Sequence, residues 1–191
     1  YEGNGFNLER PFRIVYTGAH GESNDLINVV KAAELIQELP ILLILVGDGP
    51  EKNKLLRISK NLNNIKFLDP IPKYKIPAFI EKSDAVLISL KNVLVFKYGI
   101  SPNKLYDAYA IGRPVITTIE GAINDEVKNY NLGVTCKAEN PELLAKSIKK
   151  LFNLSREQRS KMGERGRQLA ERIYSREIIN KKMDKLLKKY V

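Results

Sequence analysis

One cysteine, one histidine and no tryptophan occur among the 191 residues, and each scarcity closes a class of explanation. A single thiol, Cys136, cannot form an intrachain disulfide, so a cystine-stapled secreted scaffold is excluded and a reducing, cytoplasmic setting is expected. Cys136 falls in a strand-like run and reads as a core thiol. With His20 as the only histidine and no His/Cys/Asp cluster at ligand spacing, no metal and no cofactor is expected. No apolar run approaches the roughly 20 residues of a membrane span. The opening YEGNGFNLERP has neither the basic start nor the apolar middle of a secretion signal. It is loop-like, and residues 1–11 read as the remnant of an interdomain linker, which implies a domain before it.

Acidic residues are scarce only at one end. Residues 145–191 hold 15 Lys/Arg against 5 Asp/Glu, which leaves the first 144 residues balanced at 17 of each, so the net charge of +10 is a C-terminal property. A basic helical end is a solvated face or a contact for an anionic membrane surface, which would place the protein peripherally at the inner face of the plasma membrane. Aromatic platforms interleaved with the basic residues are missing, so no nucleic acid is expected as a partner.

What is present is enough for one core: 43% of the residues are hydrophobic. Short β-rich runs at 12–18, 41–47, 65–68, 85–90, 114–119 and 133–138 alternate with amphipathic stretches at 26–39, 51–62, 76–83 and 123–130. ILLILV is apolar on successive residues, as a strand covered on both faces must be. The expectation is an α/β fold, a doubly wound parallel sheet of about six strands. The C-terminal helices follow outside, the last one, within 175–191, carrying Ile178, Ile179, Met183, Leu186 and Leu187 on one face. In such sheets the loops after the strands hold the ligand. Those loops are GAHGESND (18–25), GDGPEK (47–52), DPIPK (69–73), the segment leading to SPNKLYD, and EGAIND (120–125).

SPNKLYDAYAIG (101–112) reads as a helix start. Ser101 is expected to cap it, with Pro102 at the first helical position, where no amide donor is needed. Lys104 and Asp107, three residues apart, share a face near the positive end of the helix dipole, where an anion could sit; as a bare pair they would form a surface ion pair. Tyr106 and Tyr109, on either side of Asp107, are expected to pack against the sheet. Asp48 reads as a turn residue in Gly-Asp-Gly-Pro. A dinucleotide-binding dehydrogenase is disfavoured, because GAHGES after the first strand does not match G-x-G-x-x-G.

The order VGDGPEKNKL, IKFLDPIPKYKIPAFIEKSDAVLISL, SPNKLYDAYAIGRPVI and GVTCKAENPELLAKSI resembles the C-terminal, donor-binding domain of the family-4 retaining glycosyltransferases of the two-Rossmann-domain GT-B fold. The likeness runs from Phe12 to about Tyr174, and is greatest to bacterial enzymes of O-antigen and capsule biosynthesis. It implies a nucleotide-sugar-binding Rossmann-like domain over 12–174 and a partner domain, N-terminal to it, that holds the acceptor. It further implies that Ser101, Asn103, Lys104, Gly18 and Gly21 approach the diphosphate of a nucleoside diphosphate sugar and that Asp107 holds the ribose. Pro70 and Ile71 would read the base, and His20, Glu120, Gly121 and Ala122 would lie near the sugar. A lone loop histidine such as His20 is otherwise a hydrogen-bonded loop residue. The pattern departs from the family at Gly99, where its first motif acid would stand, and at Ala19 and Asn24 to Asp25, where its two cations would stand. Lys104, with Lys73 or Lys91, is the available replacement. A UDP-sugar 2-epimerase-like half and a non-catalytic nucleotide-binding domain of the same fold are the alternatives.

Overall fold

The computed structural model describes residues 10–190, with the backbone alone at 97–98. Most of the predicted linker remnant, residues 1–9, lies outside the described residues. Arg10 is joined to Asp84 by two hydrogen bonds of 2.8 and 3.0 Å, and Asp84 also accepts from the Arg13 amide.

Six strands, β1 (Phe12–Thr17), β2 (Ile41–Val46), β3 (Ile65–Leu68), β4 (Ala85–Ile88), β5 (Val115–Thr117) and β6 (Gly133–Thr135), form one parallel sheet in the order β3-β2-β1-β4-β5-β6. The helices between and after them are α1 (Leu26–Glu34), α2 (Lys52–Ile58), α3 (Ile76–Glu81), α4 (Leu94–Tyr98), α5 (Asn103–Ile111), α6 (Ala122–Asn129), α7 (Pro141–Phe152), α8 (Arg156–Leu169) and α9 (Arg176–Leu187). This is the expected doubly wound α/β fold. The helix α4 lies in a segment expected to be loop.

Strand alternation divides the core into two layers. Ile14 and Tyr16 of β1 point into one layer with Leu26 and Val29 of α1 and Leu144 and Ile148 of α7. Val15 points into the other with Ile80 of α3, Leu105 of α5 and Val127 of α6. Each such side chain withdrawn from water contributes about 1.5–3 kcal/mol, so neither face of the sheet can be left bare. The helix α8 closes the edge, with Met162 in the first layer and Leu169 in the second. It can come this close to α5 because Gly163 stands against Gly112, where a Cβ on Gly163 would lie 1.9 Å from the Gly112 carbonyl oxygen.

The starts of the C-terminal helices follow from their caps. The Asn140 side chain accepts from the Leu143 amide ahead of α7, Ser155 and Gln158 form a reciprocal capping box at α8, and Ser175 caps α9. A π-helical turn, Ala170–Tyr174, links α8 to α9. No α9 residue is buried, and its stripe of Ile179, Met183, Leu186 and Leu187 faces solvent.

The order of strands reverses beside β1, which lies between β2 and β4. A crevice is expected at the carboxyl ends of the strands at such a point.

Candidate functional site

A cleft of about 560 Å³ opens there. One wall is Thr17, Gly18 and Ala19 at the end of β1, with Val46, Gly47 and Asp48 at the end of β2. Facing them are Pro70, Ile71, Lys73 and Ile76 after β3, and Asn103, Lys104 and Asp107 on the first turns of α5.

The loops after β1 and β2 are bound together by backbone groups that prolong the sheet ladder. The Gly18 amide donates to the Val46 carbonyl (2.9 Å), His20 to Asp48 (2.8 Å) and Glu51 to His20 (2.9 Å). The glycines of VGDG make this possible, since a Cβ on Gly49 would lie 2.7 Å from the His20 backbone. Asp48 accepts from the Gly49 amide at 2.8 Å, a local turn bond. The cleft therefore has a rigid backbone wall on this side.

Opposite stands the start of α5. Ser101 does not cap it, contrary to the sequence reading. Its hydroxyl turns away and donates to the Tyr106 hydroxyl at 3.2 Å, and Pro102 takes the cap position with no side-chain hydrogen bond to the helix. The first turn of α5 is thus left without a side-chain acceptor, the condition that suits an anion. Lys104 projects from this turn across the cleft, its Nζ 4.1 Å from the centre of the Tyr16 ring. Burial brings its pKa down to about 8. The Lys104–Asp107 ion pair, the alternative to an anion site, does not form: no carboxylate pairs with Lys104 among the described residues. Asp107 is half-buried, and burial raises its pKa while the charge of Lys73 lowers it. Lys73 therefore faces the carboxylate across the cleft, whereas Lys91 is held by Glu22 at 2.7 Å and does not line the cleft.

Of the residues singled out from the sequence, Gly18, Pro70, Ile71, Asn103, Lys104 and Asp107 meet in the cleft. Ser101, Gly21, His20, Glu120, Gly121 and Ala122 are not on its wall. Gly21 lies farther along the β1 loop, and Glu120 borders a separate small recess beside Lys91. Gly121 precedes α6 with φ +80°, and Ala122 opens that helix. His20 turns inward, fully buried between the Tyr16 and Phe67 rings, with neither ring nitrogen hydrogen-bonded among the described residues. As a loop residue it is hydrogen-bonded through its backbone alone. Burial, then the nearby charge of Lys52, lowers its pKa. Lys73, one of the two replacement cations offered by the sequence, lines the cleft, and Gly47 is a cleft residue that the sequence did not single out, although it sits on a loop placed at this rim.

Tyr109 is buried in the second layer, its hydroxyl donating to Glu126 at 3.1 Å. Tyr106 instead packs on the Tyr174 ring, 4.6 Å between centres, and the Tyr174 hydroxyl donates to the other Glu126 oxygen. These contacts fix the back of α5, so its front can hold a constant position. Gly99 is exposed and has φ +148°, and among the described residues, its two chain neighbours aside, a Cβ there would meet nothing within 4 Å.

Similarity to known proteins gives the family and the fold. The chain is 30% identical over 110 residues to a protein of Escherichia coli (strain K12) named as the colanic acid biosynthesis glycosyl transferase WcaI, covering 56% of this chain and 26% of that one. It is 28% identical over 158 residues to the N-acetyl-alpha-D-glucosaminyl L-malate synthase of Bacillus anthracis, covering 80% of this chain and 39% of that one. The chain thus spans well under half the length of either. A crystal structure of Anabaena Alr3699/HepE in complex with UDP superposes with a TM-score of 0.81 at 17% identity, covering 95% of this chain and 50% of that one, which shows the shared fold. The family model for glycosyl transferases group 1 matches residues 4–169, and the chain belongs to that family.

Proposed function

We propose that this chain is the donor-binding half of a retaining glycosyltransferase. It would take a hexose from a nucleoside diphosphate sugar, with UDP as the carrier, to a polysaccharide or lipid-linked acceptor of the bacterial envelope. The observation that carries the reading is the placement of Lys104. A cation with no carboxylate partner among the described residues projects from the uncapped start of α5 into a cleft whose volume suits a nucleotide-sized ligand. A diphosphate there gains the helix-start amides and one ammonium, and the leaving-group charge that grows as the glycosidic bond breaks is met where it forms. Asp107, nearly one turn further on, can accept from both hydroxyls of a ribose. Pro70 and Ile71 close the end where a base would lie.

The acceptor site belongs in this reading to a domain N-terminal to this one, so the isolated domain binds donor but does not transfer sugar. No helix among the described residues is long and apolar enough to cross a membrane. The basic, amphipathic α9 is the proposed contact with an anionic membrane surface.

The test is a titration of UDP and of uridine into the parent and Lys104→Ala. Losing one charge-assisted contact should weaken UDP by roughly 10- to 100-fold and leave uridine within about twofold. Equal losses for both ligands in a folded variant would remove the diphosphate from this position.

A further inference from the structure

A diphosphate at the start of α5 needs its lysine held in place, and the contacts of Lys104 show how. Lysine side chains lose much rotamer entropy when they are held, and a cation free to wander is a poor anchor. Around the ammonium the structure provides two things. The Tyr16 ring, fully buried on β1, lies beneath Nζ at 4.1 Å. Gly18, two residues on, leaves the space that Nζ occupies, since a Cβ at Gly18 would stand 2.9 Å from it. The ring is itself fixed, because the Tyr16 hydroxyl donates to the Ala19 carbonyl at 2.7 Å and so ties strand to loop.

We infer that Tyr16 is a positioning residue for donor binding: its ring face, with the bare backbone of Gly18, seats the Lys104 ammonium at the start of α5 without neutralising it. A carboxylate in that place would hold the lysine more strongly but would compete with the incoming diphosphate. An aromatic face attracts the cation and carries no net charge, so the ammonium keeps its full charge for the ligand. The inference rests on the reading that Lys104 meets the diphosphate.

The seat has a pH signature. The titratable groups around Lys104 are Tyr16 beneath it on β1, His20 on the loop behind, Asp48 and Lys73 on the facing loops of the cleft and Asp107 on its own helix. With its pKa lowered by burial to about 8, Lys104 is protonated below that pH and loses its proton above it. A diphosphate binds the protonated form. UDP affinity should therefore be flat from neutrality to about pH 8 and fall by up to about tenfold per pH unit above it, until the bound-state pKa is reached. Weakening the ring's attraction for the ammonium moves that break downward.

The experiment is a set of UDP and uridine titrations of the intact protein carrying Tyr16→Phe, a ring-fluorinated phenylalanine at the same position, Tyr16→Leu, and each of these in the Lys104→Ala background. Tyr16→Phe keeps the ring but loses the bond that ties it to the Ala19 carbonyl, so it should weaken UDP less than Tyr16→Leu does. Tyr16→Leu should weaken UDP by roughly 5- to 30-fold, spare uridine, and cost nothing further once Lys104 is gone. The fluorinated ring preserves shape and fold while reducing the charge on the ring face. It should weaken UDP and shift the pH break down, and it decides the matter if Tyr16→Leu does not fold. Losses that add to those of Lys104→Ala, or a fluorinated variant with unchanged affinity and pH break, overturn the role of Tyr16 while leaving Lys104 at the diphosphate. A Lys104→Ala variant that binds UDP as the parent does overturns both.

Discussion

Gly47 and Gly18 stand so close at the ends of β2 and β1 that a Cβ on Gly47 would lie 1.9 Å from the Gly18 carbonyl oxygen. Gly47 also has φ +147°, a conformation that other residues rarely adopt. Gly47→Ala must therefore push apart the two loops that form one wall of the cleft. It should cost at least about 2 kcal/mol in denaturant unfolding and abolish measurable UDP binding. Gly21→Ala is the contrast, because its added methyl would come no nearer than 3.7 Å to any atom. It should stay within about 0.5 kcal/mol of the parent and bind UDP normally, although the family resemblance implies a place for Gly21 near the diphosphate.

The same logic applies at the back of the domain. Gly163→Ala would drive a methyl into the Gly112 carbonyl and force α8 away from α5, whereas a methyl at Gly166 meets the Tyr109 side chain at 3.3 Å. Thermal unfolding should show Gly163→Ala several degrees below the parent. Gly166→Ala should fall between the two, because an aromatic side chain can yield by a few tenths of an ångström and a helix backbone cannot.

Those glycines also mark what a sequence can and cannot disclose. ILLILV announces a strand covered on both faces, and the alternation of such runs with amphipathic stretches is enough for the sheet and its winding. SPNKLYD likewise announces a helix start at the rim, and from it Lys104 and Asp107 reach the cleft. The capping role of Ser101 was misread because Tyr106, one turn along, competes for its hydroxyl, a choice made by side-chain geometry. The burial of His20 has no local signature either: the β2 loop closes over it through the space its own glycines leave. Contacts between segments distant in the chain carry no local signature.

Cys136 follows β6 and is partly buried against the first core layer, where burial lifts its thiol pKa to about 11. Only the thiolate is nucleophilic, so near neutrality the reactive fraction is far below that of a free cysteine with pKa about 8.5. Alkylation by iodoacetamide at about pH 8 should run roughly 100-fold slower than for a model thiol and accelerate to that of the model thiol only in denaturant. A native-state rate equal to that of the model thiol would show that Cys136 is open to solvent.

The exposed stripe of Ile179, Met183, Leu186 and Leu187 on α9 lies on a helix whose sequence also holds Lys181, Lys182 and Lys185. Anionic vesicles should bind the intact protein, and binding should weaken as salt rises, since the Debye length shrinks from about 10 Å at 0.1 M to about 3 Å at 1 M. Met183→Glu should reduce binding by removing apolar contact and adding repulsion. Binding to neutral vesicles at equal strength, or no response to salt, would leave α9 as a solvated face or a contact for another part of the protein.

Asp107 is the residue on which the sugar-nucleotide reading can be separated from that of a general anion cleft. Its carboxylate is half-buried in the cleft, with Lys73 facing it and no ion pair to Lys104. If it accepts from the two ribose hydroxyls, Asp107→Asn should weaken UDP by roughly 10- to 100-fold, the worth of a charge-assisted hydrogen bond. The same change should leave 2′,3′-dideoxy-UDP, which lacks both hydroxyls, within about twofold. Acid should mimic the substitution, because burial raises the Asp107 pKa above the ordinary carboxylate value. The ribonucleotide's advantage over the dideoxy form is then full near neutrality and is lost as the pH falls through that raised value. In the intact enzyme, Asp107→Asn should cut sugar transfer while the circular dichroism spectrum and melting temperature stay near those of the parent, since among the described residues this carboxylate makes no hydrogen bond or ion pair in the core. A variant that keeps the parent's preference for the ribonucleotide would mean that the ribose is held elsewhere and that Asp107 serves only to balance Lys73.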